Sequence, residues 1–513
     1  MTSPGAVDRR ALAAVAFGVF VAADDLMVVA TMLRPIIDDL GLVLPDDLDA
    51  TAWIVNVYLI AYLTAMPLAG RLSDRFGRRS VFVAAMGLFA IGSVVVPLAS
   101  SLPTLLAGRA LSALGGGALV PIAFATAGDL PAARRPRALG TIGAIETLGW
   151  VWGPLYGALL VRFLTWEWQF YLNLPLALVG AVLGWRLLPG RRDAAARLDL
   201  VGAALLSASL VSVNVALLGR AKIQTVSGLD DLRGGSSNWT ESRWVIAAAV
   251  VTTVALVAWL SARRGRPAIL AVAAVRGHRA QTALVVNVLA SVGLVVALVN
   301  VPLFINVVRQ ADGYRSAALV SGVLLTALTG AMAVASYGGG RLTERLGLRR
   351  PSLVGLAVAL VGFAAMGWGW DRDTGSAVQA IGLAVAGAGL GLTLAPTSDA
   401  VVGAVDDHDR GSAAGLVIMA RLFGFSIGLA SLTAWGLHRY EVLRDELVLP
   451  ALGEDGFEQA LADGVVDITT TALAETFVGS ALALVVAIVL VAVTFGRAGG
   501  PVAVTPGDVS SPG

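Results

Sequence analysis

The chain has 513 residues, 57% of them hydrophobic and 14% charged, with a mean hydropathy of +0.79. Soluble domains carry roughly a quarter charged residues, so this composition excludes an ordinary soluble protein and places most of the chain in lipid. The formal net charge of +2 points to no charged partner, and the absence of cysteine excludes disulfides, thiol chemistry and Cys-ligated metal.

Arg9 and Arg10 precede an apolar run of about 20 residues, long enough for a retained first helix rather than a cleaved signal peptide. Runs of spanning length follow at about 11–33, 51–70, 81–99, 104–127, 138–161, 169–188, 199–219, 244–261, 281–307, 316–337, 352–370, 376–399, 411–437 and 472–495. The expected fold is all-α and polytopic, with about 14 transmembrane helices.

The first span carries two adjacent acids, Asp24 and Asp25, in "VAADDLMVVATMLRPI". Successive helix positions point about 100° apart, so one of the two is expected to face a central cavity. Two carboxylates this close in low dielectric repel, and one tends to hold a proton. The second span ends in "GRLSDRFGRR", where Gly70 and Gly77 suit a tight turn. Asp74 there can accept from a helix N-terminus or from an arginine. Arg71, Arg75, Arg78 and Arg79 suit anionic lipid or a second bundle, and a plain charged anchor is the simpler alternative. Arg109 is a lone arginine in the fourth span, either functional or near the membrane surface.

In the fifth span, "GTIGAIETLGWVWGPLYG" sets Gly149, Gly153 and Gly157 on one helix face, where small residues let a neighbour pack closely. Pro154 removes a backbone donor beside them. Glu146 lies one turn earlier. A charge at a span centre costs about 2.5–3.5 kcal/mol on insertion scales, so it must pair, protonate or face water. Between the thirteenth and fourteenth runs, 438–471 mixes leucines and valines with acids around Pro450 and Gly453. It suits short amphipathic helices extending spans thirteen and fourteen beyond the bilayer, or a solvated loop.

The loops show a repeat. "GRLSDRFGRR" at Gly70 matches "GRLTERLGLRR" at Gly340, and Pro121 matches Pro396. A shift of about 270–275 residues superposes these pairs, the mark of a transporter built from two parallel halves. The same shift carries Glu146 onto Arg421, giving the acid a basic candidate partner. A static salt bridge and a gating lock are both open readings of that pair. Spans seven and eight have no counterpart. The expected division is therefore a six-helix bundle at 1–190, two inserted linker helices at 191–270, a second six-helix bundle at 271–496 with an outer extension at 438–471, and a disordered tail at 497–513. Arginines gather in the loops at 70–79, 133–137, 190–192, 262–266 and 341–350, which puts both termini in the cytoplasm. The acidic "DDHDR" at 406–410 falls on the same side against that trend.

"GRLSDRFGRR" resembles the signature loop of the major facilitator superfamily, whose resemblance implies a cytoplasmic latch between bundles, with Asp74 and Arg78 as latch residues. "GWVWGPLYG" resembles the antiporter motif of the fourteen-helix drug:proton exporters, with Ala158 replacing its last glycine. The first span resembles the same branch. Asp25 stands at the acidic position and is expected to couple the proton, Asp24 is a support of undetermined role, and Arg109 matches an arginine implicated in proton transfer. Arg34 replaces a proline of that pattern. With the long 438–471 segment, it narrows the resemblance to the mycobacterial triacylglyceride exporters, also described as multidrug efflux pumps. That resemblance implies function at Asp25, Glu146 and Arg421, and a periplasmic lipid-carrying lipoprotein as partner.

The expected activity is proton-coupled export of a lipophilic molecule, triacylglyceride or a related lipid, across the inner membrane. The alternative is a multidrug:proton antiporter without a lipid role. Few charges line the spans, which suits an apolar substrate better than a sugar or phosphate. His278, His408 and His438 form no catalytic cluster, and no nucleotide-binding loop is visible, so neither an enzyme nor an ATP-driven pump is expected. No cofactor beyond the proton gradient, no metal, no nucleic acid and a monomeric state are expected.

Overall fold

The structure, a computed structural model, describes residues 9–41, 48–190, 199–218, 239–262, 277–308, 314–406, 409–447 and 457–495. The expected tail at 497–513, much of the 191–270 linker, and the side chains of Arg34 and Pro154 lie outside the described residues. Lipid offers no hydrogen bonds, so a chain this apolar must satisfy its backbone internally. Accordingly the described residues form helices and no strand: α1 (Arg9–Asp39), α2 (Leu48–Phe76), α3 (Arg78–Val95), α4 (Leu102–Gly128), α5 (Arg135–Phe163), α6 (Trp168–Leu187), α7 (Leu200–Leu218), α8 (Trp239–Ala262), α9 (His278–Val308), α10 (Tyr314–Leu346), α11 (Arg349–Gly369), α12 (Ser376–Val402), α13 (Arg410–Asp445) and α14 (Phe457–Thr494). Eleven stretches among them are long and apolar enough to cross a membrane, while α7 and α8 carry shorter apolar segments. Leu178, Trp185, Ile381 and Leu482 lie bare on the outside, a surface matched to hydrocarbon rather than water.

The repeat read in the loops recurs in the packing. α1 lies against α4, α5 and α6, as α9 lies against α12, α13 and α14. α4 packs on α2 and α3, as α12 packs on α10 and α11. The two sets meet where α2 crosses α13 and where α5 crosses α10. α7 pairs with α8 and touches both α2 and α13.

One expectation changes. The signature loop is mostly helix: α2 runs through Phe76, and the turn is Gly77 alone, at φ +90°. Gly70 is no turn residue; it sits where the α13 backbone comes closest, and a side chain there would strike the Gly411 carbonyl. At the other end, the described residues of 438–471 follow the helical reading: α13 continues to Asp445 and α14 starts at Phe457, with 448–456 outside the described residues. Arg439 of α13 and Glu475 of α14 pair at 2.8 Å.

Candidate transport site

Asp25 is completely buried in the middle of α1. Its Oδ2 accepts from Arg109 Nη1 of α4 at 3.3 Å, and its Oδ1 from Asn173 Nδ2 of α6 at 2.9 Å. The Arg109 guanidinium lies 4.1 Å from the Tyr58 ring centre, an arrangement that a ring's negative face favours. Arg109 is 1% exposed, a buried member of this cluster. Asp24 is buried as well, with its Oδ2 accepting from Gln169 Nε2 at 3.0 Å. α1 has α4, α5 and α6 around it, so both acids turn into protein. Gln169 and Asn173 were not singled out by sequence, although their spacing of four places both on one face of α6.

Glu146 and Arg421 meet across the two halves: Arg421 Nη1 donates to Glu146 Oε2 at 2.8 Å, with both side chains about 95% buried. Trp150 lies 5.6 Å from that guanidinium and packs against Phe425 of α13. Arg421 also borders a small cavity with Asn287, Ser291, Thr393 and Thr397. The motif glycines explain how α5 reaches its place. A Cβ on Gly149 would stand 2.6 Å from Ala23 Cβ, and one on Gly153 would stand 2.8 Å from the Asp24 carbonyl. Their missing side chains seat α5 directly on α1 at Asp24, and Gly157 is buried further along the same helix.

On the arginine-rich side the halves are latched. Asp74 accepts from Arg78 at 2.6 Å and from the backbone N–H groups of Gly411 and Ser412, at 3.1 and 3.2 Å, in the first turn of α13. Both acceptor roles expected of Asp74 are therefore filled at once, by a cation and by the positive end of a helix. Arg71 pairs with Asp409, so the acidic 406–410 loop supplies a counter-ion to the signature arginines rather than opposing them. Arg75 lies against the Phe76 ring. Two further pairs cross the seam, Arg410–Asp129 at 3.6 Å and Arg135–Asp399 at 3.7 Å, and Arg137 meets Glu344 at 2.6 Å. These were missed, yet the shift of 270–275 residues that relates Gly70 to Gly340 also relates Asp129 to Asp399, Arg135 to Arg410 and Asp74 to Glu344.

Chemically, the arrangement offers a buried acid pair able to exchange a proton, an ion pair spanning the seam, and a latch closed on one side. The sequence model of the Major Facilitator Superfamily matches residues 15–429. The triacylglyceride transporter of Mycolicibacterium smegmatis is 33% identical over 473 residues, covering 88% of this chain and 80% of the relative. The triacylglyceride transporter of Mycobacterium tuberculosis is 34% identical over 450 residues, covering 84% and 83%. Among solved structures, the human organic anion transporter MFSD10 aligns over 94% of this chain and 99% of its own, with a TM-score of 0.60 at 15% identity. The proton:xylose symporter XylE aligns over 92% and 94%, with a TM-score of 0.59 at 14% identity. At such identity the two structures speak for the fold alone; with the family match and the curated relatives, they lead to one conclusion, that this chain belongs to the major facilitator superfamily.

Proposed function

We propose that this transporter exports a lipophilic molecule, triacylglyceride or a related lipid, in exchange for protons, by alternating access across the inner membrane. The observation that carries the reading is the buried chain from Asp24 and Asp25 through Gln169 and Asn173 to Arg109. Ionisable groups this deep in a membrane protein are expensive and serve ion or proton movement as a rule. Export rather than uptake follows from the antiporter-like glycines seated on Asp24. Lipid rather than a polar solute follows from the named activity of the mycobacterial relatives and from the scarcity of charge along the spans. No cofactor beyond the proton gradient enters.

In this reading the fourteen helices all span, as six, two and six, with both termini cytoplasmic. The arginine-rich latch is then the cytoplasmic gate, closed in an outward-facing conformation. Proton uptake from outside precedes its release inside, and parting of Glu146 from Arg421 accompanies the change of access. A lipid-carrying lipoprotein is the implied acceptor on the outer side, and the transporter acts as a monomer.

The test measures triacylglyceride and ethidium export in transporter-deleted cells carrying wild type or Asp25→Asn. Lipid export restored by wild type alone supports the proposal. Ethidium export without any lipid effect favours the multidrug alternative, and normal export by Asp25→Asn sinks the role of this buried cluster in coupling.

A further inference from the structure

We infer that Asp24, not Asp25, binds and releases the coupled proton, while Asp25 stays ionised as the fixed counter-ion of Arg109. The inference rests on the proton-coupled reading above and assigns its proton to an atom. Both oxygens of Asp25 already accept hydrogen bonds, one from the Arg109 cation and one from the Asn173 amide. A proton there would displace a donor and leave a buried guanidinium uncompensated. Asp24 differs in both respects. Only its Oδ2 accepts a bond, from Gln169, and its Oδ1 is buried with no donor.

The groups around Asp24 come from every neighbouring helix. Asp25 shares α1, Gln169 and Asn173 stand on α6, and Tyr156 with the Gly149 and Gly153 backbone stands on α5. Further off, Arg109 on α4 and Tyr58 on α2 face Asp25. Among the described residues no cation pairs with Asp24. A proton on Asp24 therefore breaks no ion pair, and its buried unpartnered oxygen leaves room for one. Gln169 supplies an independent sign: its Oε1 is also buried without a donor. An amide can turn over and exchange donor for acceptor. With Asp24 ionised, Gln169 donates to it; with Asp24 protonated at the oxygen that faces Gln169, the turned amide accepts from the acid.

The event is a simple one, with one O–H bond formed on uptake from the outer side and broken on release to the inner side. Its consequence travels two ways. Gln169 Nε2 lies 3.4 Å from Asn173 Oδ1, so a turned amide loosens the link to Asp25 and Arg109. On the opposite side, Gly153 packs on the Asp24 carbonyl, two turns from Glu146 at the seam.

The test uses the purified full-length protein in liposomes, with two readouts. Infrared difference spectra across a pH jump report the carbonyl band of a protonated carboxyl group. Ethidium accumulation reports work done by an imposed proton gradient. Asp24→Asn is expected to abolish the band and lower gradient-driven accumulation to the undriven value, a loss of up to about 50-fold per 100 mV for one proton. Downhill ethidium exchange persists, showing a folded carrier. Asp24→Glu is expected to restore the band and part of the drive. In Asp25→Asn the freed Arg109 competes for Asp24, so the band moves to lower pH rather than vanishing. A band that survives in Asp24→Asn and vanishes in Asp25→Asn overturns the assignment. Wild type that shows the Asp24 band yet ignores the gradient overturns the coupled reading while supporting Asp24 as the proton-binding group.

Discussion

Two arginine–carboxylate pairs lie deep in this molecule, and they differ in what holds them. Asp25–Arg109 joins α1 to α4 inside one half, with Asn173 as an additional donor and Tyr58 beneath the guanidinium. Glu146–Arg421 joins α5 to α13 across the seam; each pair leaves one guanidinium nitrogen, Arg109 Nε and Arg421 Nη2, buried without an acceptor. A pair within a rigid half survives any rocking of that half. A pair across the seam separates when the halves part at its level. The same chemistry therefore serves as a fixed frame in one place and as a conditional contact in the other.

The largest effects break that comparison directly. Arg109→Leu leaves Asp25 as an uncompensated buried charge, a loss of about 3–5 kcal/mol. Thermal unfolding of the purified protein should fall accordingly; an equal fall for Arg421→Leu would mean that the seam pair is no more conditional than the internal one. Charge reversal sharpens the point. Glu146→Arg with Arg421→Glu is expected to recover export relative to either single change. Asp25→Arg with Arg109→Asp is not, because the Asn173 donor would then face a cation.

Next in size is Glu146→Gln, which keeps shape but exchanges a charged hydrogen bond for a neutral one, weakening the closed seam by about 1.5–3 kcal/mol. The chain has no cysteine, and Ser336 bonds across the seam to the Gly140 carbonyl at 3.0 Å, so Ser336→Cys gives a single reporter. Its maleimide labelling should accelerate by tenfold or more, roughly, in Glu146→Gln. Gly70→Val should act in the same assay by forcing α13 away, at about 1–3 kcal/mol of overpacking. An unchanged labelling rate would show that the α2–α13 crossing tolerates bulk.

The smallest effects belong to the solvent edge of the latch. Asp129→Asn and Asp399→Asn remove partly exposed partners of Arg410 and Arg135, each worth under about 1 kcal/mol. Their double variant should add the two single effects in unfolding measurements; strong non-additivity would mark one cooperative latch instead of two related contacts.

The positions of the helices were legible because lipid demands long apolar runs, and the runs near 104–127 and 376–399 differ from α4 and α12 by three residues or fewer at each end. The same signal failed at α14, which begins 15 residues before the run at 472: a helix that leaves the hydrocarbon no longer needs to be apolar. Glu146 with Arg421 was readable through the internal repeat alone. Gln169 and Asn173 were not, since a lone amide in an apolar helix has no meaning until the opposing helix is known. Gly70 was misread because a glycine that makes a turn and one that admits a neighbour look alike in sequence.

The length of α13 has a mechanical side. Its 36 residues extend about 54 Å against a hydrocarbon core of roughly 30 Å, leaving an overhang of about 24 Å. Arg439 pairs with Glu475 and ties this overhang to α14. A domain rotation of about 15° would sweep the tip through roughly 6 Å. Under the alternating access proposed above, such an overhang would magnify a modest tilt within the membrane into a displacement beyond it, and the access state would be legible at a distance from the bilayer.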